Sequence, residues 1–323
     1  MELAGRKIVM TGATGFIGSH VAGLFLEKGE EVYVLVRESS AQKDRLPRHK
    51  NIHIMYGTLK DAVPVLDGVG AADAFLHFAW GGVNREEIDS RTVQEENIAG
   101  SLECLKAARR LGCRIFMDAG SRVEYGITED GVMSENMECH PVNEYGKAKL
   151  EFYRQAAALC RQWGVVYYHL RFFSVYGKGD HPWSIISTLT RELPMGKTVS
   201  LSACMHRWNF MEISDAARAV VELYGHSDTR AGQMHVVNIA STDTRQLRSF
   251  VEEIHELCGG KGQLQYGSFV QAKEGALSVC PTIETLKDLT DGTWEENITF
   301  SLGIRKMLDE DTKSMDFAAR RLG

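Results

Sequence analysis

No two of the seven cysteines stand at C-x-x-C spacing, and no histidine accompanies them at the spacing of a metal ligand set. An odd, scattered set of thiols argues against a disulfide framework, and no metal site is expected. No apolar run approaches the roughly 18 residues that a membrane span needs. Basic charge is in deficit, with 37 Lys and Arg against 43 Asp and Glu and a net charge of −6. That balance leaves no electrostatic footprint for nucleic acid or an anionic membrane. Proline is scarce, at six residues, and low-complexity segments are missing, so continuous order is expected. The first residues, Met-Glu-Leu-Ala-Gly-Arg-Lys, resemble no signal peptide, and a reducing cytoplasm is the expected compartment.

What is present is a rhythm. Short apolar runs at 7–10, 31–36, 52–56, 74–78, 115–119 and 165–172 alternate with helical patterns at 18–28, 92–111 and 145–163. Such alternation predicts an α/β fold, a Rossmann-type doubly wound parallel sheet with helices on both faces. After residue 174 the pattern loosens, leaving a helix at 214–224 and a strand at 235–239. The expected division is a dinucleotide-binding domain of residues 1–173 and 209–240, with a smaller substrate lobe of 174–208 and 241–323. Ligands of such folds sit beyond the carboxyl ends of the strands.

The stretch "KIVMTGATGFIGSH" follows the first strand with Gly12, Gly15 and Gly18 and then opens a helix. A glycine turn there lets backbone approach a pyrophosphate while the helix amino terminus supplies N–H donors. The plainer reading is a tight structural turn. Further along, "DAGSRVEYG" ends the fifth apolar run with Ser121, and "NEYGKAK" opens a helix 24 residues later with Tyr145 and Lys149. A spacing of four puts phenol and ammonium on one helical face. A nearby lysine stabilises phenolate, such a tyrosine can exchange a proton with a carbinol oxygen, and a serine hydroxyl can orient that oxygen. Ser121 could equally be a cap. A second Tyr-x-x-x-Lys, Tyr56 to Lys60, falls where a strand ends and is read as coincidence.

The order of glycine loop, strand-end serine and helical Tyr-x-x-x-Lys resembles the extended short-chain dehydrogenase/reductase family of NAD(P)-dependent nucleotide-sugar epimerases, dehydratases and reductases. "FLHFAW", "QEENIAGSLECLKAARRLG", "LRFFSVYGKGD" and "DGTWEENITFSLGIRKML" are similar to later family segments, so the likeness spans nearly the whole chain. It implies a catalytic set of Ser121, Tyr145 and Lys149 with Asn97 as a structural asparagine. It also implies cofactor contacts from Gly12, Thr14, Gly15, Phe16, Ile17, Gly18, Arg37, Leu59, Phe78, Ala79 and Trp80, with Tyr145 and Lys149. Trp80, Asn84, Ser121, Arg122, Ser174, His181, Trp183 and Arg207 are the candidates for the substrate side.

Three departures narrow the reaction. Family 4,6-dehydratases carry Asp-Glu after the hydroxyl residue, where this chain has Arg122 and Val123. Glu124 occupies the place of a usually buried valine and could reach the substrate. Trp208 stands where the family has a phosphate-binding arginine, with Arg207 one place early. Reduction of a 4-keto nucleotide sugar is the expected activity. C4 epimerisation, reduction of a non-nucleotide ketone and a non-catalytic cofactor-binding role are the alternatives. Arg37 at the end of the second strand matches a 2′-phosphate, so NADP is expected with NAD as the alternative, Glu38 being the residue that could hold an unphosphorylated ribose. The resemblance further implies a homodimer through the helices at 92–111 and 145–163.

Overall fold

The computed structural model describes residues 5–84, 86–128, 131–227, 231–268 and 278–309. Its first strands are β1 (Lys7–Thr11), β2 (Glu31–Val36), β3 (Ile52–Tyr56), β4 (Ala74–His77), β5 (Ile115–Ser121), β6 (Val132–Met133) and β7 (Val166–Phe172). Then come β8 (Ser174–Tyr176), β9 (Thr198–Ser200), β10 (Arg207–Glu212), β11 (Met234–Ile239) and β12 (Thr244–Gln246). Seven of them form one parallel sheet in the order β11-β7-β5-β4-β1-β2-β3. Runs such as KIVMT and EVYVLV are nearly all apolar because helices cover both faces. On one face pack α1 (Phe16–Glu27) and α6 (Ile213–Gly225). On the other lie α2 (Ala62–Leu66), α3 (Arg91–Arg110) and α4 (Glu144–Trp163). The expected doubly wound sheet is therefore present, with element ends shifted by one or two residues.

A third apolar cluster lies away from the sheet. Tyr176, Leu189, Phe210, Phe250, Phe300 and Ile304 join α5 (Ile185–Glu192), α7 (Leu247–Leu257) and the helical stretch 300–309. The strand β10 reaches both parts: Met211 packs into the sheet's core and Phe210 into this cluster. It pairs with β8 in parallel and β12 in antiparallel fashion, so the later chain segments interleave.

The chain leaves β1 toward β2 and β3, and leaves β4 toward β5 and β7, so the strand order reverses between β1 and β4. At such a point the two following loops diverge and leave a crevice. Among the described residues no helix is long and apolar enough to cross a membrane.

Candidate active site

The glycine loop and the loop after β4 face each other across that crevice. Gly12 has φ 76°, and a Cβ there would stand 2.5 Å from the Ala79 nitrogen. A Cβ on Gly18 would collide with the Gly12 carbonyl, so the helix can start this close to the strand only with glycine at both places. Gly15 caps α1 without any side-chain hydrogen bond, which leaves the helix's first N–H groups open toward the crevice. A cavity of about 850 Å³ opens there, lined in part by Gly12, Thr14, Gly15, Arg37, Leu59, Phe78, Ala79, Trp80 and Asn97. Nine of the residues expected at a cofactor or catalytic site thus share one cavity wall. Gly18 is buried against Gly12, and Phe16 lies beneath Gly179, so those two shape the loop rather than the wall. Ile17 packs against the core beside them.

The β4–α3 loop is pinned from below. Asn97 accepts the Gly81 N–H at 3.0 Å and donates to the Gly81 carbonyl at 2.9 Å. Trp80 donates its indole N–H to Gln94 at 2.9 Å. His77, the last residue of β4, bonds Thr11 and Ser101 inside the core, and burial draws its pKa down to about 3.

Tyr145 and Lys149 come from the start of α4. Asn143 caps that helix by accepting the Gly146 N–H at 2.8 Å, and the Tyr145 N–H donates to Ile88 at 3.0 Å. The Lys149 ammonium is buried, donates to the Ala119 carbonyl at 2.6 Å and stands 3.7 Å from the centre of the Trp80 ring. Burial lowers its pKa to about 8, with Asp118 and Glu124 pulling the other way. Burial raises the Tyr145 phenol to about 12, while a hydrogen bond with Ser121 opposes that rise. The indole of Trp80 packs edge-on to the Tyr145 ring at 6.3 Å. Serine, tyrosine and lysine therefore meet beside the wall of the large cavity.

Ser121 takes up the capping role left open for it. It ends β5 and caps the short 3₁₀ turn Arg122–Tyr125 in a capping box with Glu124. Glu124 does not reach toward the cavity. Its carboxylate is fully buried, accepts the Ser121 N–H at 2.6 Å and meets His169 at 2.8 Å and Arg171 at 3.1 Å. His169 in turn bonds Asp118 at 2.9 Å. The signal for this network was in the run "VYYHLRF", a fully buried strand that carries His and Arg two places apart and so on one face. Gly120, opposite Arg171 on β5, makes the room: a Cβ there would lie 2.6 Å from the His169 ring.

A second cavity of about 340 Å³ is lined by Ser174, Tyr176, Ile185, Trp208, Phe210 and Leu247 among others. Trp208 donates its indole N–H to Ser174 at 3.0 Å, and the Arg122 guanidinium lies 4.8 Å over its ring. Asn84, His181, Trp183 and Arg207 line neither cavity. Asn84 holds a surface turn through Glu87, His181 stacks on the exposed Trp183, and exposed Arg207 donates to the Thr244 carbonyl. Arg207 misses the cavity because neighbours on a strand face opposite sides, and its neighbour Trp208 takes the inward one. Tyr56 is exposed under Lys43, whereas Lys60 lies near Glu96 on the wall of the large cavity.

Comparison with known proteins gives concordant matches. The family model described as NAD dependent epimerase/dehydratase family matches residues 8–240. The UDP-glucose 4-epimerase of Corynebacterium glutamicum is 23% identical over 272 residues, which is 78% of this chain and 80% of that protein. The crystal structure of a UDP-glucose 4-epimerase from Thermotoga maritima, with UDP-glucose, superposes at TM-score 0.84 and 20% identity, covering 96% of this chain and 99% of that one. The dTDP-glucose 4,6-dehydratase of Streptomyces venezuelae, solved with NAD bound, superposes at TM-score 0.81 and 19% identity, covering 96% and 98%.

Proposed function

This chain belongs to the NAD dependent epimerase/dehydratase family and is an enzyme of the short-chain dehydrogenase/reductase type; from that premise we propose that it interconverts the hydroxyl and keto forms of one carbon, the 4-position, of a nucleotide sugar. The observation that carries the reading is the meeting of Ser121, Tyr145 and Lys149 beside the 850 Å³ cavity at the strand-order reversal. The cavity fits a dinucleotide: the close-packed Gly12 loop and the uncapped start of α1 offer backbone N–H groups to a pyrophosphate. A nicotinamide dinucleotide held by this loop would supply the hydride chemistry at the sugar carbon. Tyr145 passes a proton to or from the carbon's oxygen, and Ser121 orients that oxygen. Lys149, protonated below pH about 8, stabilises the phenolate that the transfer requires.

Eliminating water would need a further acid and base. Arg122 and Val123 supply neither, and both oxygens of Glu124 are committed to the buried network. A single hydride and a single proton suffice for either ketone reduction or epimerisation. Arg37 lines the cavity with Ser39, Ser40 and Gln42, whereas Glu38 does not, which supports a 2′-phosphate and hence NADP. NADP use favours the 4-ketoreductase reading. Epimerisation is the second reading, favoured by the likeness to a UDP-glucose 4-epimerase.

Replacing Tyr145 with Phe tests the assignment. Turnover should fall by about 10² or more with cofactor binding retained, and Tyr56→Phe, the matched control, should change little. Normal turnover in Tyr145→Phe would overturn it. We propose a second copy of this chain as partner, through the outer faces of α3 and α4, where Ile98, Leu102 and Leu159 are only partly buried. Light scattering that finds only a 36.0 kDa particle at micromolar concentration rejects the dimer.

A further inference from the structure

We propose that Arg122 recognises an anionic group, a carboxylate or a phosphate, that the substrate carries close to the carbon whose oxygen meets Tyr145. The inference rests on the redox reading of the same site and adds the chemical class of what the site accepts. Arg122 follows Ser121 directly, and its guanidinium is close enough to the Tyr145 phenol to interact with it electrostatically. It is half-buried and lies over the Trp208 ring at 4.8 Å. Among the described residues it makes no hydrogen bond and no ion pair, and this sets it apart. Arg171 is held by Glu124, Arg218 by Asp215 and Glu222, and Arg245 by Asp243 and Glu253.

The missing counter-charge has a structural cause. Glu124, the carboxylate of the same turn, faces inward and is filled by the Ser121 N–H, His169 and Arg171. Burial pulls the Arg122 pKa down to about 10, with Tyr145 pulling the other way, as for a cation that has lost part of its water to no ion-pair partner. An arriving oxyanion would supply that compensation, and the planar guanidinium offers it two parallel donors. The Trp208 ring supports the guanidinium at 4.8 Å, and its own orientation is fixed by the bond to Ser174. No lysine or arginine lines the 340 Å³ cavity beyond Trp208, whose wall carries the carboxylate of Asp180, so the cation set against that wall is Arg122, over the Trp208 ring.

Isothermal titration of cofactor-saturated wild type and Arg122→Gln with UDP-glucose, UDP-glucuronate, glucuronate and glucose 1-phosphate decides the matter. If a carboxylate is the target, wild type prefers UDP-glucuronate to UDP-glucose by about tenfold and Arg122→Gln loses the preference. If a phosphate is the target, both UDP-sugars and glucose 1-phosphate weaken alike, again by about tenfold. Arg122→Lys, which keeps the charge and loses the fork, should fall between. The melting point of Arg122→Gln should match or exceed that of wild type, because an uncompensated cation is gone. Equal affinities of wild type and Arg122→Gln for all four ligands overturn the inference and leave the redox reading standing. Wild type that binds glucuronate or glucose 1-phosphate through Arg122, yet neither UDP-sugar, keeps the inference and discards the nucleotide sugar. Binding of none of the four discards both.

Discussion

The carboxylate of Glu124 accepts the backbone N–H of Ser121 at 2.6 Å, three residues away in sequence and beneath the candidate catalytic turn. Its other oxygen is shared by His169 and Arg171, so the position of the Ser121 hydroxyl is tied to a buried charge network. Glu124→Gln keeps the shape but turns an amide N–H toward the Arg171 guanidinium and leaves that cation uncompensated. Breaking a buried pair from one side costs on the order of 3–5 kcal/mol. Denaturant melts should register that loss. In the folded fraction the turnover number should fall about tenfold with little change in KM, because a loosened serine fails to orient the reacting oxygen rather than to bind the sugar. An unchanged turnover number would mean that the turn holds its shape without the carboxylate.

The same network gives stability a pH dependence with a definite sign. Burial pushes the His169 pKa down, but Asp118 and Glu124 outweigh it, and the ring ends at about 9 against an ordinary 6.5. A group raised on folding contributes stability that is complete below its unfolded value and is lost as pH climbs through the folded one. The margin of wild type over His169→Gln should therefore be widest near pH 6 and narrow between about 6.5 and 9. Lys149 acts in the opposite sense, since its pKa falls to about 8 on folding, but it is common to both proteins and drops out of their difference. Midpoints of chemical denaturation across that range measure the margin. A constant margin would show that folding leaves the proton affinity of His169 unshifted.

The sheet, its flanking helices and the alignment of Tyr145 with Lys149 were legible because each depends on local pattern, while Ser121 as their partner was implied by the family resemblance. Apolar runs of period two or continuous burial mark strands, glycine after β1 marks the crevice, and a spacing of four aligns Tyr145 with Lys149. The partners of charge were not legible. Whether Glu124 faced the cavity or the core turned on His169, Arg171 and Gly120, which lie on two different strands and meet only through the register of β5 on β7. Likewise, Arg207 was the nearer match to a family arginine, yet strand alternation turns it to solvent and brings Trp208 inward. Trp208 then seats Arg122, a residue 86 places earlier in the chain.

The glycine loop yields a prediction that concerns backbone alone. At Gly12 a Cβ would meet the Ala79 nitrogen and the Phe78 carbonyl carbon at 2.5 Å, and neither atom belongs to a flexible side chain that could swing away. The positive φ of 76° adds strain of its own for any L residue. Gly12→Ala should push β1 and β4 apart at the crevice, lower the melting point, and weaken dinucleotide binding by at least tenfold. Gly70 has a similar φ of 72° but open space around it, so Gly70→Ala should show strain without loss of binding. Equal binding losses in the two variants would mean that strain, not the close approach of the loops, sets cofactor affinity.

Cofactor choice separates reduction from epimerisation. Arg37 stands directly after β2 and lines the large cavity together with Ser39 and Ser40. Among the described residues its guanidinium makes no ion pair, while Glu38 lies off the cavity wall. A 2′-phosphate would gain a fork of N–H donors and nearby hydroxyls there, where a bare ribose would gain little. Arg37→Ala should weaken NADPH by about 1.5–3 kcal/mol, the range for a hydrogen bond to a charged group, and leave NADH almost unchanged. Titration of both cofactors against both proteins measures this. Because reductive chemistry draws on NADPH and hydride-returning epimerisation retains NAD, the result also orders the two activities. Equal losses for both cofactors, or a wild type that prefers NADH, would reject the phosphate site and put epimerisation ahead of ketone reduction.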